Sequence, residues 1–237
     1  MKIPLSNDYF HFKQFTILQS RCAMKVGTDG TLLGAWARLP STSGDAPTIL
    51  DVGTGTGIIA LMMAQRYAQA RVVGIDIDAD AAQQALQNAQ ASPFASRIDI
   101  RQADFCALEG SACYDAIVSN PPYFANALHS PDASRTLARH TQALTFRMLM
   151  EHAWRLLADG GQLSVVVPAD AQGSMEGEAA LAGFFKQREC QVFTSPSKPA
   201  KRVMMAFGKH SATLERQRLV VGSAEHQALM SEYKAQL

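Results

Sequence analysis

The chain has 237 residues, 47% of them hydrophobic and 18% charged, with a formal net charge of +1. That is enough apolar material for a sizeable core, which excludes a disordered chain, a collagen-like repeat and a disulfide-stapled mini-fold. The longest unbroken apolar run is Ile58–Ala64, far short of the roughly 20 residues of a helical membrane span.

The opening residues, MKIPLSNDYFHFKQF, have no apolar h-region. No secretory signal is expected there, and the chain is expected to be cytoplasmic. Residues 1–40 form an extension, set apart by the loop Leu39–Pro47, which is rich in Pro, Ser, Thr and Gly. Near its end a helix reads over Leu32–Ala37, and the bland reading of Thr28 or Asp29 is as its N-cap, compatible with a further role. From residue 41 onward, short apolar strands alternate with helical patterns. Thr48–Val52 reads as a strand, Ile58–Tyr67 as a helix and Arg71–Ile75 as a second strand. Ala79–Ala91 is rich in good helix formers. Strands follow at Arg97–Arg101 and Ala116–Ser119. A helix over Thr145–Leu157, stopped by Asp159-Gly160-Gly161, leads to a buried-type strand at Leu163–Val167. Gly177–Gln187 reads as helical, with further strands at Val192–Ser195, Arg202–Phe207 and Arg218–Val221. This alternation predicts an α/β fold with a doubly wound, mostly parallel sheet over residues 41–237, the whole forming one globular unit.

The scattered cysteines Cys22, Cys106, Cys113 and Cys190 include no C-x-x-C. They are expected to be reduced packing residues, not a disulfide framework or zinc site, and no metal is expected. Met62, Met63, Trp36 and Trp154 read as core.

The first chemical motif is Asp51-Val52-Gly53-Thr54-Gly55-Thr56-Gly57, at the turn from the first α/β strand into its helix. Such glycines let a ligand approach the backbone at the carboxyl edge of a parallel sheet. The dinucleotide spacing G-x-G-x-x-G would need glycine at Ile58, and there is no G-K-[ST] for a triphosphate. A plain tight connection is the bland alternative. Asp76 closes the second strand, where an acid can accept ribose hydroxyls. Asp78 competes for that role but is expected to face solvent. Asp104 follows the third strand and could equally be a turn or N-cap residue.

Asn120-Pro121-Pro122-Tyr123 follows the fourth strand and carries the most information. A conjugated exocyclic amine is a poor nucleophile because its lone pair is delocalised into the ring. Acceptors facing its hydrogens, the Asn120 side-chain oxygen and the Pro121 carbonyl, would localise that pair and stabilise developing positive charge. The two prolines stiffen the backbone, and Tyr123 offers a stacking face. No nucleophilic side chain or metal is needed.

The glycine-rich stretch resembles that of S-adenosylmethionine-dependent methyltransferases. The N-terminal run from Phe12-Lys13-Gln14-Phe15-Thr16-Ile17 to Arg21-Cys22-Ala23-Met24-Lys25-Val26-Gly27-Thr28-Asp29-Gly30, continuing to Trp36, is similar to the signature of the bacterial tRNA1(Val) adenine-N6 methyltransferase family. The resemblance covers roughly residues 10–140. It implies a seven-stranded, Rossmann-like class I methyltransferase sheet that uses S-adenosylmethionine, leaves S-adenosylhomocysteine and methylates adenine 37 beside the anticodon. It implies a cosubstrate site made of Lys25, Gly27, Thr28, Asp29, Asp51, Gly53, Thr54, Gly55, Gly57, Asp76, Ile77, Asp104, Phe105 and Asn120. In it, Asp51 lies near the amino group of the cosubstrate, Asp104 bonds its adenine amino group, and Phe105 lends a backbone amide. Asn120, Pro121, Pro122 and Tyr123 hold the target base.

Charge is distributed unevenly. Residues 1–40 sum to +3, 41–182 to −7, 183–220 to +6 and the last seventeen to −1. Basic ends therefore flank an acidic middle, a pattern suited to a polyanion such as the anticodon stem-loop of tRNA. Candidate phosphate contacts are Lys13, Arg21, Lys198, Lys201 and Arg202. Arg135, Arg139 and His140 lie nearer the base, in a segment, Phe124–Leu144, long enough to act as a flap. An ordinary solvated role is the alternative for each, and no obligate protein partner is evident. Two competing functions remain open at this level: a protein-glutamine methyltransferase, which shares the Asn-Pro-Pro-Tyr logic, and a non-catalytic RNA-binding methyltransferase fold.

Overall fold

Strands buried on both faces need apolar residues at nearly every position, and the central ones here meet that demand. The computed structural model describes residues 8–22, 25–41, 45–121 and 144–233. A hairpin, β1 (Tyr9–His11) and β2 (Thr16–Leu18), comes first, then α1 (Thr28–Trp36). The α/β units follow as β3 (Thr48–Val52), α2 (Ile58–Arg66), β4 (Arg71–Asp76), α3 (Ala79–Gln90), β5 (Ile98–Gln102) and β6 (Tyr114–Ser119). The chain continues through α4 (Phe146–Leu156), β7 (Leu157–Pro168), α5 (Gln172–Leu181), β8 (Phe185–Phe193), β9 (Arg202–Gly208), β10 (Glu215–Val220) and α6 (Ala224–Met230).

The main sheet has the order β5-β4-β3-β6-β7-β9-β8-β10. Its neighbours run parallel except β9, which is antiparallel to both β7 and β8. The sheet is thus the expected mostly parallel one, with eight strands, as the residue pattern reads, where the family resemblance implies seven. The additional strand is β10, which pairs parallel with β8 at the edge. Strand order reverses around β3, which pairs with β4 on one side and β6 on the other. Ligands of doubly wound sheets bind at such a switch point, beyond the carboxyl ends of the strands.

Alternate residues of each strand feed two cores. On one face Ile49, Val72, Val118, Val166 and Met204 meet Leu33 and Trp36 of α1 and Ile59, Met62 and Met63 of α2. On the other, Leu50, Ile117, Val165, Val203 and Phe207 meet Leu149, Met150, Ala153 and Leu156 of α4 and Met175 of α5. The extension joins the first core through Phe12, Phe15 and Ile17. Helices α1 and α2 pack closely at Gly34, where a Cβ would lie 2.9 Å from the Met62 sulfur. Thr145 caps α4 by accepting the Met148 N–H at 3.1 Å.

Several local expectations are corrected. The N-cap of α1 is Gly27, with neither Thr28 nor Asp29 capping from its side chain. The helix expected at Gly177–Gln187 starts earlier and stops at Leu181. Gly183 turns the chain with φ 94°, a left-handed helix ending that favours glycine, and β8 follows. Asp159-Gly160-Gly161 falls inside β7, where the register with β6 shifts. Of the four free cysteines only Cys190 is buried, and Cys113 is exposed. Trp36, Met62 and Met63 are buried as expected, whereas Trp154 is only partly buried, packed edge-on to Phe184. No helix among the described residues is long and apolar enough to cross a membrane.

Candidate active site

Register aligns the strand ends that carry the motifs. Val52 lies opposite both Ile75 and Ser119, and Asp76 lies opposite Gln102. Gly53, Asp76, Asp104 and Asn120 therefore gather at the carboxyl edge of four adjacent strands. The Ser119 hydroxyl donates to the Val52 carbonyl at 3.0 Å, tying the two strands that flank the switch point.

The turn from β3 to α2 is built by its glycines. Gly53, Gly55 and Gly57 have φ of 69°, 55° and 81°, values that side-chain-bearing residues rarely adopt. Beneath the turn, the Thr54 hydroxyl donates to Asp51 Oδ2 at 2.6 Å, and the Ala60 N–H donates to the same oxygen at 3.1 Å. Gly74 makes room, since a Cβ there would lie 2.9 Å from the Thr54 hydroxyl.

Asp51 is fully buried, and burial pushes its carboxyl up to about 7, against the opposing effect of the Thr54 and Ala60 hydrogen bonds. Its second oxygen, Oδ1, is buried without a partner among the described residues. Asp76 is partly exposed. Its carboxylate accepts the Gly55 N–H at 2.9 Å on one oxygen and the Asp78 N–H at 3.0 Å on the other. Burial raises its pKa, and those hydrogen bonds oppose the rise. Asp78 is exposed and caps α3, accepting from Asp80 and Ala81, while Ile77 is 52% exposed beside it.

Asp104 accepts the Cys106 N–H at 2.8 Å and caps a short 3₁₀ turn. Its side chain thus does the turn work that the sequence left open. Phe105 is buried, edge-on to His152 of α4. Asn120 is partly exposed and Pro121 buried at the end of β6. Pro122, Tyr123, Arg135, Arg139 and His140, and nearly all of the expected flap, lie outside the described residues.

Comparison with known proteins fits this geometry. Residues 36–195 match the family described as "Methyltransferase small domain". The tRNA1(Val) (adenine(37)-N6)-methyltransferase of Phocaeicola vulgatus is 48% identical over 86% of this chain and 85% of its own. That of Bacteroides thetaiotaomicron is 41% identical over 97% and 95%. The chain belongs to the tRNA1(Val) adenine-37-N6 methyltransferase family. Among solved structures, a predicted O-methyltransferase of Agrobacterium tumefaciens superposes with a TM-score of 0.67 over 88% of this chain and 98% of its own. At 19% identity that likeness establishes the fold.

The residues present suit the family's cosubstrate, S-adenosylmethionine. Its methionine end brings an ammonium, and Asp51 offers a buried carboxylate oxygen that nothing in the described protein satisfies. Its ribose brings two hydroxyls, and Asp76 stands partly exposed at the strand end. Among the described residues no His, Cys, Asp and Glu group could hold a metal ion.

The N-terminal motif reaches the same edge. Asp29, in the first turn of α1, pairs with Arg202 at 2.7 Å, and Arg202 lies opposite Pro168 at the carboxyl end of β7. Lys25, Gly27 and Thr28 precede that pair, all exposed. Exposed Lys198 and Lys201 occupy the β8–β9 connection at this edge. Arg202 is thus an ion-paired residue, not an open cation. Lys13 lies elsewhere, beside Gln65 and Arg66 at the far end of α2, with its ammonium on the Ser231 carbonyl at 2.7 Å. The Arg21 backbone N–H donates to Gln84 of α3 at 3.3 Å. Sequence reading missed Thr54's structural bond, Gly74, Gln84 and Asn88. The one signal for the last two was a pair of amides four residues apart in an alanine-rich helix.

Proposed function

We propose that this protein transfers the methyl group of S-adenosylmethionine to N6 of adenine 37 in tRNA1(Val). The observation that carries the reading is the placement of Asn120-Pro121 at the end of β6, level with the glycine turn after β3. Methyl donor and acceptor amine then meet at one sheet edge, which turns a bimolecular reaction into one between positioned groups. The Asn120 side-chain oxygen and the Pro121 carbonyl accept the N6 hydrogens as positive charge develops, and Tyr123 stacks on the base. Asp51 holds the ammonium of the cosubstrate and Asp76 its ribose, while Asp104 and Phe105 border its adenine. Segment 25–30 folds over it. A base in an anticodon loop already lies outside a continuous duplex, so presenting it costs little. The site of action is the cytoplasm, where tRNA is modified.

Tritiated methyl transfer to bulk tRNA, with the modified nucleotide mapped, tests the reading. Label in adenine 37 of valine tRNA supports it, and label in protein alone refutes it. Asn120→Ala should lower kcat by at least about a hundredfold, far more than it weakens cosubstrate binding. Unchanged turnover would remove Asn120 from its assigned role.

A further inference from the structure

Helix α3 buries alanines at 81, 82, 85 and 89, and among them two amides, Gln84 and Asn88, each only 1% exposed. A buried amide is costly unless its donors and acceptor are satisfied. Asn88 meets that condition with three bonds. Its Oδ1 accepts the Leu18 N–H at 2.9 Å, and its Nδ2 donates to the Leu18 carbonyl at 2.8 Å. The same Nδ2 also donates to the Thr56 carbonyl at 2.8 Å. One side chain therefore joins the backbone of the extension to the backbone of the glycine turn.

The surroundings make this a junction. A Cβ on Gly57 would lie 3.3 Å from that of Ala85, so the turn rests on α3 between the two amides. Gln84, one helical turn before Asn88, holds the Arg21 N–H. Gln19 Oε1 accepts the Val26 N–H at 2.8 Å and closes the chain back toward Lys25–Thr28. Between these ties Cys22 is half-buried near Asp76 and Asp78, and burial first, then the charges of those two carboxylates, push its thiol up to about 11. Residues 18–21 are thus fastened at both ends to the helix that also supports the cosubstrate turn.

We infer that Asn88, assisted by Gln84, is a positioning residue for the cosubstrate site, registering the N-terminal extension and the glycine turn on one helix so that both halves of the site form together. The inference rests on the glycine turn being the S-adenosylmethionine site. Asn88 touches neither substrate and acts through Thr56 and Leu18.

Calorimetric titration with S-adenosylhomocysteine tests it, beside amide hydrogen exchange of the free protein. Asn88→Ala should raise Kd about tenfold or more. It should raise KM for S-adenosylmethionine in parallel and leave kcat at saturation within about threefold. Exchange should quicken together in residues 18–22 and 54–57 and stay unchanged in β7. Asn88→Asp keeps the acceptor for Leu18 but turns an anion toward two carbonyls, so its Kd should rise further than that of Asn88→Ala. A folded Asn88→Ala protein with wild-type Kd overturns the inference, even if its exchange quickens, because the role would then be structural only. If both Asn88 variants fail to fold, Gln84→Met decides: a rise in Kd of about two- to fivefold supports the inference, and no rise overturns it. Failure of the wild-type protein to bind S-adenosylhomocysteine is a separate result, which strikes the cosubstrate assignment itself.

Discussion

Asp51 shows how one residue can set function against stability. Its carboxyl is pushed up to about 7 by burial, from an ordinary value near 4. In the window between those values the folded protein keeps a proton that the unfolded chain has released. Stability therefore falls as pH rises through that window and levels off above it. Asp51→Asn removes the charge while keeping an acceptor for Thr54 and Ala60. It should raise Tm at pH 8 by at least about 3 °C, with a smaller gain at pH 5. It should also weaken S-adenosylmethionine binding about tenfold or more, since an amide leaves the ammonium without its counter-charge. Thermal melts at the two pH values check the first point. Equal gains at both would show that ionisation of Asp51 is not the source of the cost. In the wild-type protein, cosubstrate affinity should decline as pH falls below about 7, with proton release measurable in buffers of different ionisation enthalpy. At this scale the sequence was informative about which residues matter and silent about how they are held. The D-x-G-x-G-x-G spacing marked Asp51, but the depth of its burial comes from packing against Thr54 and α2.

Elements were legible wherever period and punctuation agreed. The strand Thr48–Val52 falls where its apolar run places it, and α2 and α3 begin where the glycine turn and Asp78 permit. The C-terminal helix α6 was not read at all, and the hairpin and most of β8 escaped for different reasons. The hairpin strands are three residues each, too short to show a period, and Tyr9, Phe10 and Leu18 point outward. Strand β8 hid behind its charges, because Arg188 and Glu189 are buried there and strands rarely tolerate that unpaired. Tertiary partners supply the tolerance: Lys186 pairs with Glu176 and Glu189 at 2.6 and 2.5 Å, and Arg188 stacks 3.9 Å above Trp36. The pair Asp29–Arg202 is another product of tertiary structure, joining positions 173 apart. It fastens the first turn of α1 to the start of β9. Both side chains are only about a quarter exposed, so the pair should be worth on the order of 1 kcal/mol. A double-mutant cycle of Asp29→Asn and Arg202→Gln, read by urea denaturation, should return coupling of about that size. Strict additivity would mean that the two side chains do not stabilise one another.

Over the whole molecule, charge and topology divide the surface by edge. The basic extension and basic C-terminal third look equivalent in sequence, yet they are placed differently. The β8–β9 connection brings Lys198 and Lys201 to the carboxyl edge that holds Asn120, because β9 returns antiparallel against β7. Lys13 belongs to the other end, where its ammonium is held by a C-terminal carbonyl. Cations that neutralise tRNA phosphates release counterions, so each adds a fraction near 0.7–0.9 to the slope of log affinity against log salt. Charge reversal at Lys198 and Lys201 together should weaken tRNA binding about tenfold or more at low salt and flatten that slope by about one to two. S-adenosylhomocysteine affinity should stay unchanged, since neither lysine belongs to the cosubstrate set. Lys13→Glu serves as the matched control: the same change of sign, at the opposite edge, should leave the slope as it is. If Lys13→Glu flattens the slope and the double reversal does not, tRNA approaches from the amino edge. The carboxyl-edge lysines would then be solvent-facing charges, and the anticodon loop would have to reach Asn120 around the side of the sheet.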